Sequence, residues 1–348
     1  MADQKTRLGG AGRVPVIALT GHLGAGKTSM LNHLLRRPGA RLGVVVNDFG
    51  ALNVDAALVS GQVDEAAAIS GGCVCCLDDS GGLDEALHRL SRPRLRLDAI
   101  VVEASGVAEP ITLARLIGRS GANRTRPGGL VEVIDAVEHF RTVDLWPEPP
   151  ARYAAATLVV INKVDLLPED QREQVLARIR ERVRQRNPRV QIVTARHGRI
   201  DPGLVFDTAD DGDPAGELPL AQLIRDQNRD LHDHEHARAA SVELTRPISP
   251  SMLIDLLEDP PEGAYRLKGR VRVRGSRTEQ GFVVNVVGTL IHIAPLPAPP
   301  PTGELVAIGM RLDQPAAQQR LDAIAGTPAD EPDTAGLRRL RRYRTLST

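Results

Sequence analysis

The sequence predicts an α/β fold, a mostly parallel sheet wrapped by helices, followed by a smaller α+β domain. Three observations carry this reading. Apolar, β-branched runs alternate with helix-spaced stretches from residue 13 to about residue 200, the pattern of a sheet covered on both faces. One such run leads into Gly21-His22-Leu23-Gly24-Ala25-Gly26-Lys27-Thr28, a G-x-x-x-x-G-K-[ST] phosphate-binding loop, and then into a helix. After an acidic break rich in Gly and Pro at Asp207–Glu217, further apolar runs resume.

Taken in order, the strands are Val14–Thr20, Leu42–Val46, Ala99–Val102, Gly129–Ile134, Thr157–Ile161 and Val190–Val193, each a short apolar run. Helices fall between them at Ser29–Arg36, Gly82–Leu90, Ile111–Ile117 and Glu169–Gln185. Ligands of such a sheet sit at the carboxyl ends of its strands. A short helix is expected at Leu218–Asp230. The second domain reads as strand Ala240–Leu244, helix Pro250–Glu258, strands Tyr265–Val273, Phe282–Ile293 and Leu305–Ile308, and a closing helix Asp313–Ala325. Pro295–Pro301 is a stiff loop between strands. The chain thus divides into a disordered stretch at 1–12, a phosphate-loop domain at 13–206, a linker with a His-rich loop at 207–239, a second domain at 240–325 and a polar tail at 326–348. The basic patch from Arg338 to Arg344 reads as part of a solvated tail.

Composition removes several function classes. Lys+Arg and Asp+Glu are both 44, so no net field draws the 348-residue chain to nucleic acid or membrane. Aromatics at 2% leave no base-stacking platform. No apolar run reaches the ~18 residues of a membrane span, and residues 1–12 lack a secretory core, so a cytoplasmic location is expected. Lysine occurs only at positions 5, 27, 163 and 268, and two of these four fall in nucleotide-binding motifs.

The phosphate loop explains one of them. Glycines let successive N–H groups converge on phosphate oxygens, and the helix N-terminus adds partial positive charge. Gly21, Gly24, Ala25, Gly26, Lys27, Thr28 and Ser29 would form the cradle. Lys27 would reach the β- and γ-phosphates and the Thr28 hydroxyl would hold Mg²⁺. His22 reads as a loop filler. Glu103-Ala104-Ser105-Gly106, after the strand Ala99–Val102, reads as a γ-phosphate sensor: Glu103 holds Mg²⁺ through water and the Gly106 N–H approaches the phosphate. Asn47-Asp48-Phe49-Gly50, with Asp55 beyond, offers acidic groups to a metal shell or a switch.

Asn162-Lys163-Val164-Asp165 explains the second lysine and selects the base. In an N-K-x-D loop the carboxylate takes the guanine N1–H and amine hydrogens, whereas adenine would leave it buried and unpaired. Lys163 would lay its stem across the base. Asn162 would brace the loop and reach the base edge. Thr194-Ala195-Arg196 offers a further backbone N–H for the guanine O6.

Three cysteines, Cys73, Cys75 and Cys76, crowd into four positions after two glycines. Such a cluster is no disulfide framework; it fits a metal site or a redox switch. Cys73 and Cys75 would share one side of an extended segment and bite one soft or borderline cation. Further ligands would come from Asp48, Glu138 or His139. His232-Asp233-His234-Glu235-His236 is either a weak metal-gathering loop or simply a solvated one.

Together these motifs resemble the CobW-like family of metal-trafficking GTPases, relatives of UreG and HypB. Gly21–Thr28, Asn47–Gly50, Gly71–Cys76 (G-G-C-x-C-C), Glu103–Gly106 and Asn162–Asp165 carry the resemblance. Arg266-Leu267-Lys268-Gly269 looks like the R-x-K-G of the family's C-terminal domain. Two departures stand out: Asp48 replaces a usual Glu, and Asp135-Ala136-Val137 is followed by Glu138 before His139. The resemblance implies a P-loop GTPase domain at 13–206 and a CobW-like domain at 240–325. It implies GTP hydrolysis with Mg²⁺, coupled to delivery of zinc or cobalt to a client metalloprotein, with a nucleotide-dependent homodimer left open. The alternative is a nucleotide-gated activator of a client enzyme with structural or redox cysteines. A small-molecule kinase is disfavoured by guanine selectivity.

Overall fold

The computed structural model describes residues 13–36, 40–46, 66–68, 81–105, 109–206, 237–275, 278–327, 329 and 333–347. The chain divides into two compact units, Met1–Glu235 and His236–Thr348.

In the first unit the described residues form a seven-stranded parallel sheet. Its strands are β1 (Val14–Gly21), β2 (Leu42–Val46), β3 (Ala66–Ala68), β4 (Ala99–Glu103), β5 (Thr125–Asp135), β6 (Leu158–Asn162) and β7 (Gln191–Thr194), in the spatial order β3-β2-β4-β1-β5-β6-β7. Every residue of β2, β4 and β6 is buried, as continuous apolar runs require when both faces are covered. The helices are α1 (Lys27–Leu35), α2 (Gly81–Leu90), α3 (Pro110–Arg119), α4 (His139–Thr142) and α5 (Glu169–Arg186). Each longer helix turns an apolar stripe inward: Leu83, Ala86, Leu87 and Leu90 of α2, Leu113 and Ile117 of α3, Leu176, Ile179 and Val183 of α5. β5 starts at Thr125, four residues before the expected Gly129, because its first residues already pair with β1 across a register shift at Val16/Ile17. The helix expected at Leu218–Asp230 lies outside the described residues.

The second unit is a five-stranded antiparallel sheet: β8 (Arg238–Leu244), β9 (Arg266–Arg274), β10 (Glu279–Val287), β11 (Leu290–Pro295) and β12 (Gly303–Gly309), in the order β11-β10-β9-β12-β8. Helices α6 (Pro250–Glu258), α7 (Gln314–Gly326) and α8 (Thr334–Ser347) complete it. Leu267, Val271, Val273, Phe282, Val284, Ile293 and Leu305 of the sheet share one core with Leu253, Ile254, Leu321 and Leu340 of the helices. Gly269, the glycine of the R-x-K-G segment, lies where a Cβ would collide with the Glu304 carbonyl, so β9 and β12 meet only with glycine there.

Two expectations are corrected here. Phe282–Ile293, read as one strand, is a hairpin: Val287 pairs with Leu290, and Gly288 takes a positive φ of 57° in the turn. The polar tail is largely helix α8. Leu340 is buried in the core, Arg339 pairs with Asp255 and Glu258 at 2.7 Å each, and the Tyr343 hydroxyl donates to Glu258 at 2.8 Å. Part of the basic patch is therefore spent inside the molecule. Among the described residues no helix is long and apolar enough to cross a membrane.

Candidate nucleotide site

The site lies where β1, β4, β5 and β6 end side by side. β1 runs into the phosphate loop, whose Gly21, Gly24 and Gly26 take φ values of 149°, 80° and 99°. The left-handed Gly26 caps α1, so the helix N-terminus opens into the loop. Gly21 is further fixed by its neighbour, since a Cβ would stand 2.5 Å from the Val133 carbonyl on β5. Lys27 is 8% exposed and folds back over the loop, donating to the Gly21 and His22 carbonyls at 3.0 and 3.3 Å. Ala25 is buried, and Ser29 is exposed on the first turn of α1.

Thr28 Oγ1 donates to Glu103 Oε1 at 2.8 Å, joining the loop to the end of β4. Glu103 is 5% exposed. A hydroxyl and a carboxylate side by side form a hard-oxygen donor set that fits Mg²⁺.

At the end of β6, Asn162 is 2% exposed and both ends of its amide are engaged. Nδ2 donates to the Ala25 carbonyl at 3.0 Å, and Oδ1 accepts from the Gly198 N–H at 2.9 Å. Asn162 is thus a strut between the phosphate loop and the loop after β7. Its expected reach to the base edge is not what these bonds describe. Lys163 takes a left-handed φ of 63° and starts the turn that carries Asp165. Asp165 Oδ1 is buried without a hydrogen-bond partner among the described residues, while Oδ2 lies 3.6 Å from His197 Nε2. Of the Thr194-Ala195-Arg196 segment, the expected source of a backbone N–H for the guanine O6, the Ala195 N–H donates to the Ile161 carbonyl at 2.8 Å, extending the strand ladder.

Several expected site residues lie outside the described residues: Gly106, Asp48, Asp55, Cys73, Cys75, Cys76, His232, His234 and His236. Among the described residues no group of three or more His, Cys, Asp or Glu side chains converges to hold a metal ion. His139, considered as a ligand for the thiol site, is 1% exposed, with Nε2 2.6 Å from the Tyr153 hydroxyl and 3.8 Å from Asp144. Burial lowers its pKa to about 4, against the opposing pull of Asp144. Glu138 pairs with Arg141 at 3.3 Å.

Sequence reasoning missed two groups beside the loop. Glu132 is 1% exposed in β5, accepts from Thr20 Oγ1 at 2.6 Å and meets Arg152 at 2.5 Å. Burial pushes its carboxyl pKa up, opposed by Arg152 and Thr20. Asp135 ends the same strand and takes the Lys163 ammonium at 2.7 Å. A polar or charged residue within a buried apolar run was the available signal for Glu132. Both residues, with His22, Gly24, Glu138, His139 and Lys163, help line a cavity of about 280 Å³ beside the loop.

Comparison with known proteins places this geometry. Residues 15–194 match the CobW/HypB/UreG nucleotide-binding domain, and residues 237–325 match the cobalamin synthesis protein cobW C-terminal domain. The zinc chaperone YjiA of Escherichia coli (strain K12) is 26% identical over 276 residues, covering 75% of this chain and 83% of that protein. The zinc chaperone CobW of Sinorhizobium sp is 26% identical over 339 residues, 87% of each. The zinc-regulated GTPase metalloprotein activator 1 of Schizosaccharomyces pombe is 33% identical over 202 residues, 54% of this chain and 47% of that protein. A solved Zn(II)-bound YjiA GTPase from E. coli aligns at 21% identity with a TM-score of 0.42, covering 90% of this chain and 99% of that one. With the phosphate loop, the strand-end carboxylates and both domain matches in place, the chain belongs to the CobW/HypB/UreG family of nucleotide-binding proteins.

Proposed function

We propose that this protein is a metallochaperone that uses GTP hydrolysis to control a thiol-bound zinc or cobalt ion and to deliver it to a client metalloprotein. The chain is a GTPase, and the reading of its base site rests on one observation. Asp165 Oδ1 is buried with no donor among the described residues, and a guanine edge would supply two hydrogens to a carboxylate there. Gly21, Gly24, Ala25, Gly26 and Ser29 surround the phosphates, and Lys27 exchanges its backbone carbonyls for phosphate oxygens. Thr28 and Glu103 would hold Mg²⁺, which would supply positive charge against that developing on the β- and γ-phosphates. The Gly106 N–H is proposed as the donor to the γ-phosphate.

The metal half of the proposal is supported by the relatives' names as zinc chaperones and by the chemistry of Cys73, Cys75 and Cys76. Thiolates suit Zn²⁺ and Co²⁺, with Asp48 as a supplementary donor, while His232, His234 and His236 would gather metal weakly on a loop of their own. Titrating Zn²⁺ and Co²⁺ into protein loaded with GDP or with a non-hydrolysable GTP analogue tests the coupling. Affinity is expected to change with the nucleotide and to fall in Cys75→Ala. Equal affinity in every state rejects it. The yeast relative is named a metalloprotein activator, which favours a second reading in which the nucleotide gates client activation directly and the cysteines are structural or redox-active. Thiol titration separates the two, because a carrier's thiols are protected by its cargo.

A further inference from the structure

We infer that Asp135 is a positioning residue for the purine: by holding the Lys163 ammonium it stretches the lysine stem across the base cleft and so sets nucleotide affinity. The inference rests on the reading of Asp165 as the guanine acceptor. Asp135 and Asn162 are register partners at the ends of β5 and β6, so Lys163 follows directly beside Asp135. The two oxygens of Asp135 have separate tasks. Oδ1 accepts from the Val137 and Glu138 N–H groups at 2.9 and 3.3 Å and holds the turn into α4. Oδ2 takes the Lys163 Nζ at 2.7 Å.

Lys163 is therefore fixed at both ends. Its left-handed backbone starts the turn bearing Asp165, and its ammonium is tied to the neighbouring strand end. Four methylenes between two fixed points have little rotamer freedom left, so the stem forms a preformed wall. Asp135, Lys163 and Gly24 all line the same cavity beside the phosphate loop, which places that wall on the nucleotide side of the sheet. The Asp135 side chain is 12% exposed and that of Lys163 31%, so water screens the pair only in part. The Asp165 carboxylate reads the purine edge, whereas a methylene wall packs on a face that every purine has. Asp135 should thus govern affinity without governing the choice of base.

Asp135→Asn isolates the effect. The amide oxygen still accepts from Val137 and Glu138, but its NH₂ faces the ammonium as a second donor. Lys163→Met keeps an apolar stem and removes the charge. GDP and ADP binding would be measured by calorimetry for the wild type, both variants, their double mutant and Asp165→Asn. The expected result is GDP binding about tenfold weaker in Asp135→Asn, with KM for GTP raised and kcat held. The preference for GDP over ADP should be retained, and the double mutant should be no weaker than Lys163→Met alone. Wild-type affinity in Asp135→Asn, or losses that multiply in the double mutant, would overturn the inference. Failure of the guanine reading shows separately, as unchanged GDP affinity in Asp165→Asn.

Discussion

The Tyr153 hydroxyl and His139 Nε2 stand 2.6 Å apart, with both residues removed from water at 0% and 1% exposure. Burial, reinforced by Arg152 and Arg182, outweighs the opposing pull of Asp144 and Asp135 and leaves the imidazole neutral down to about pH 4. An unfolded histidine binds its proton near pH 6.5. Between these values the unfolded chain holds the extra proton, so stability falls as pH drops from about 6.5 towards 4. The full loss is about 3 kcal/mol. Denaturant unfolding at pH 7.5 and pH 5 should show about 2 kcal/mol of it, and His139→Gln should flatten the difference. An equally steep wild-type and variant profile would assign the pH dependence to other groups.

Arg182 holds the loop that follows. It binds Asp144 through Nη2 at 2.5 Å and Nε at 2.8 Å and donates to the Trp146 and Pro147 carbonyls at 2.8 and 2.6 Å. Arg182→Ala leaves the Asp144 carboxylate, 1% exposed, without its cation. A cost of about 3 kcal/mol is expected. Trp146 is the single tryptophan and is 76% exposed, so its emission reports this loop alone. Greater acrylamide quenching with a lower Tm is the expected outcome; an unchanged Tm would show that the ion pair contributes nothing.

Asn162→Ala should act on both loops at once. It removes the bonds to Ala25 and Gly198 and leaves a carbonyl and an N–H without side-chain partners. About 2 kcal/mol of stability and a clear loss of GDP affinity are expected. Asn162→Asp keeps the acceptor for Gly198 but turns a carboxylate oxygen towards the Ala25 carbonyl, so it should rescue neither property. Affinity at the wild-type level in Asn162→Ala would mean that the strut does not shape the phosphate loop.

Much of this site is legible in the sequence because its motifs are local. Each sits in a short loop after an apolar strand, and a parallel sheet brings strand ends together whatever the residues between. The contacts that tune the site are long-range and leave no spacing to read. Thr20 meets Glu132 across 112 positions, and Lys163 meets Asp135 across 28. Helix α8 escaped detection for a different reason. Its apolar residues are few, and it docks largely through Arg339 and Tyr343 on the acidic residues of α6. The hairpin at Gly288 was hidden because apolar residues continue to its edge on both sides.

The start of α8 has a fastening point of its own. Asp333 accepts from the Ser251 and Gly336 N–H groups at 2.7 and 2.8 Å and from the Ser249 hydroxyl at 2.9 Å, and these bonds lower its pKa to about 2 despite the opposing burial. A depressed carboxyl stabilises the fold above its unfolded pKa near 3.8 and loses that contribution as pH falls towards 2. At neutral pH, Asp333→Ala should cost about 1 kcal/mol, the usual value of a lost cap. Hydrogen exchange should quicken in 334–347 while β9 and β10 stay protected. Uniform quickening throughout the second unit would show that the helix and sheet open as one.

Thr28 and Glu103 bear most directly on turnover. Their 2.8 Å bond already aligns a hydroxyl and a carboxylate where oxygen ligands for a divalent cation are needed. Glu103→Gln keeps an acceptor for Thr28 but removes the negative charge. Phosphate release from GTP is expected to fall about 100-fold, with GDP affinity changed much less. If Thr28 holds Mg²⁺ as proposed, Thr28→Ala should raise the Mg²⁺ concentration giving half-maximal turnover about 10–100-fold. The two variants therefore part company: excess Mg²⁺ restores Thr28→Ala in part but not Glu103→Gln. If Thr28→Ala shows the wild-type Mg²⁺ requirement, the hydroxyl–carboxylate pair is a brace between β4 and α1 and not a cation site.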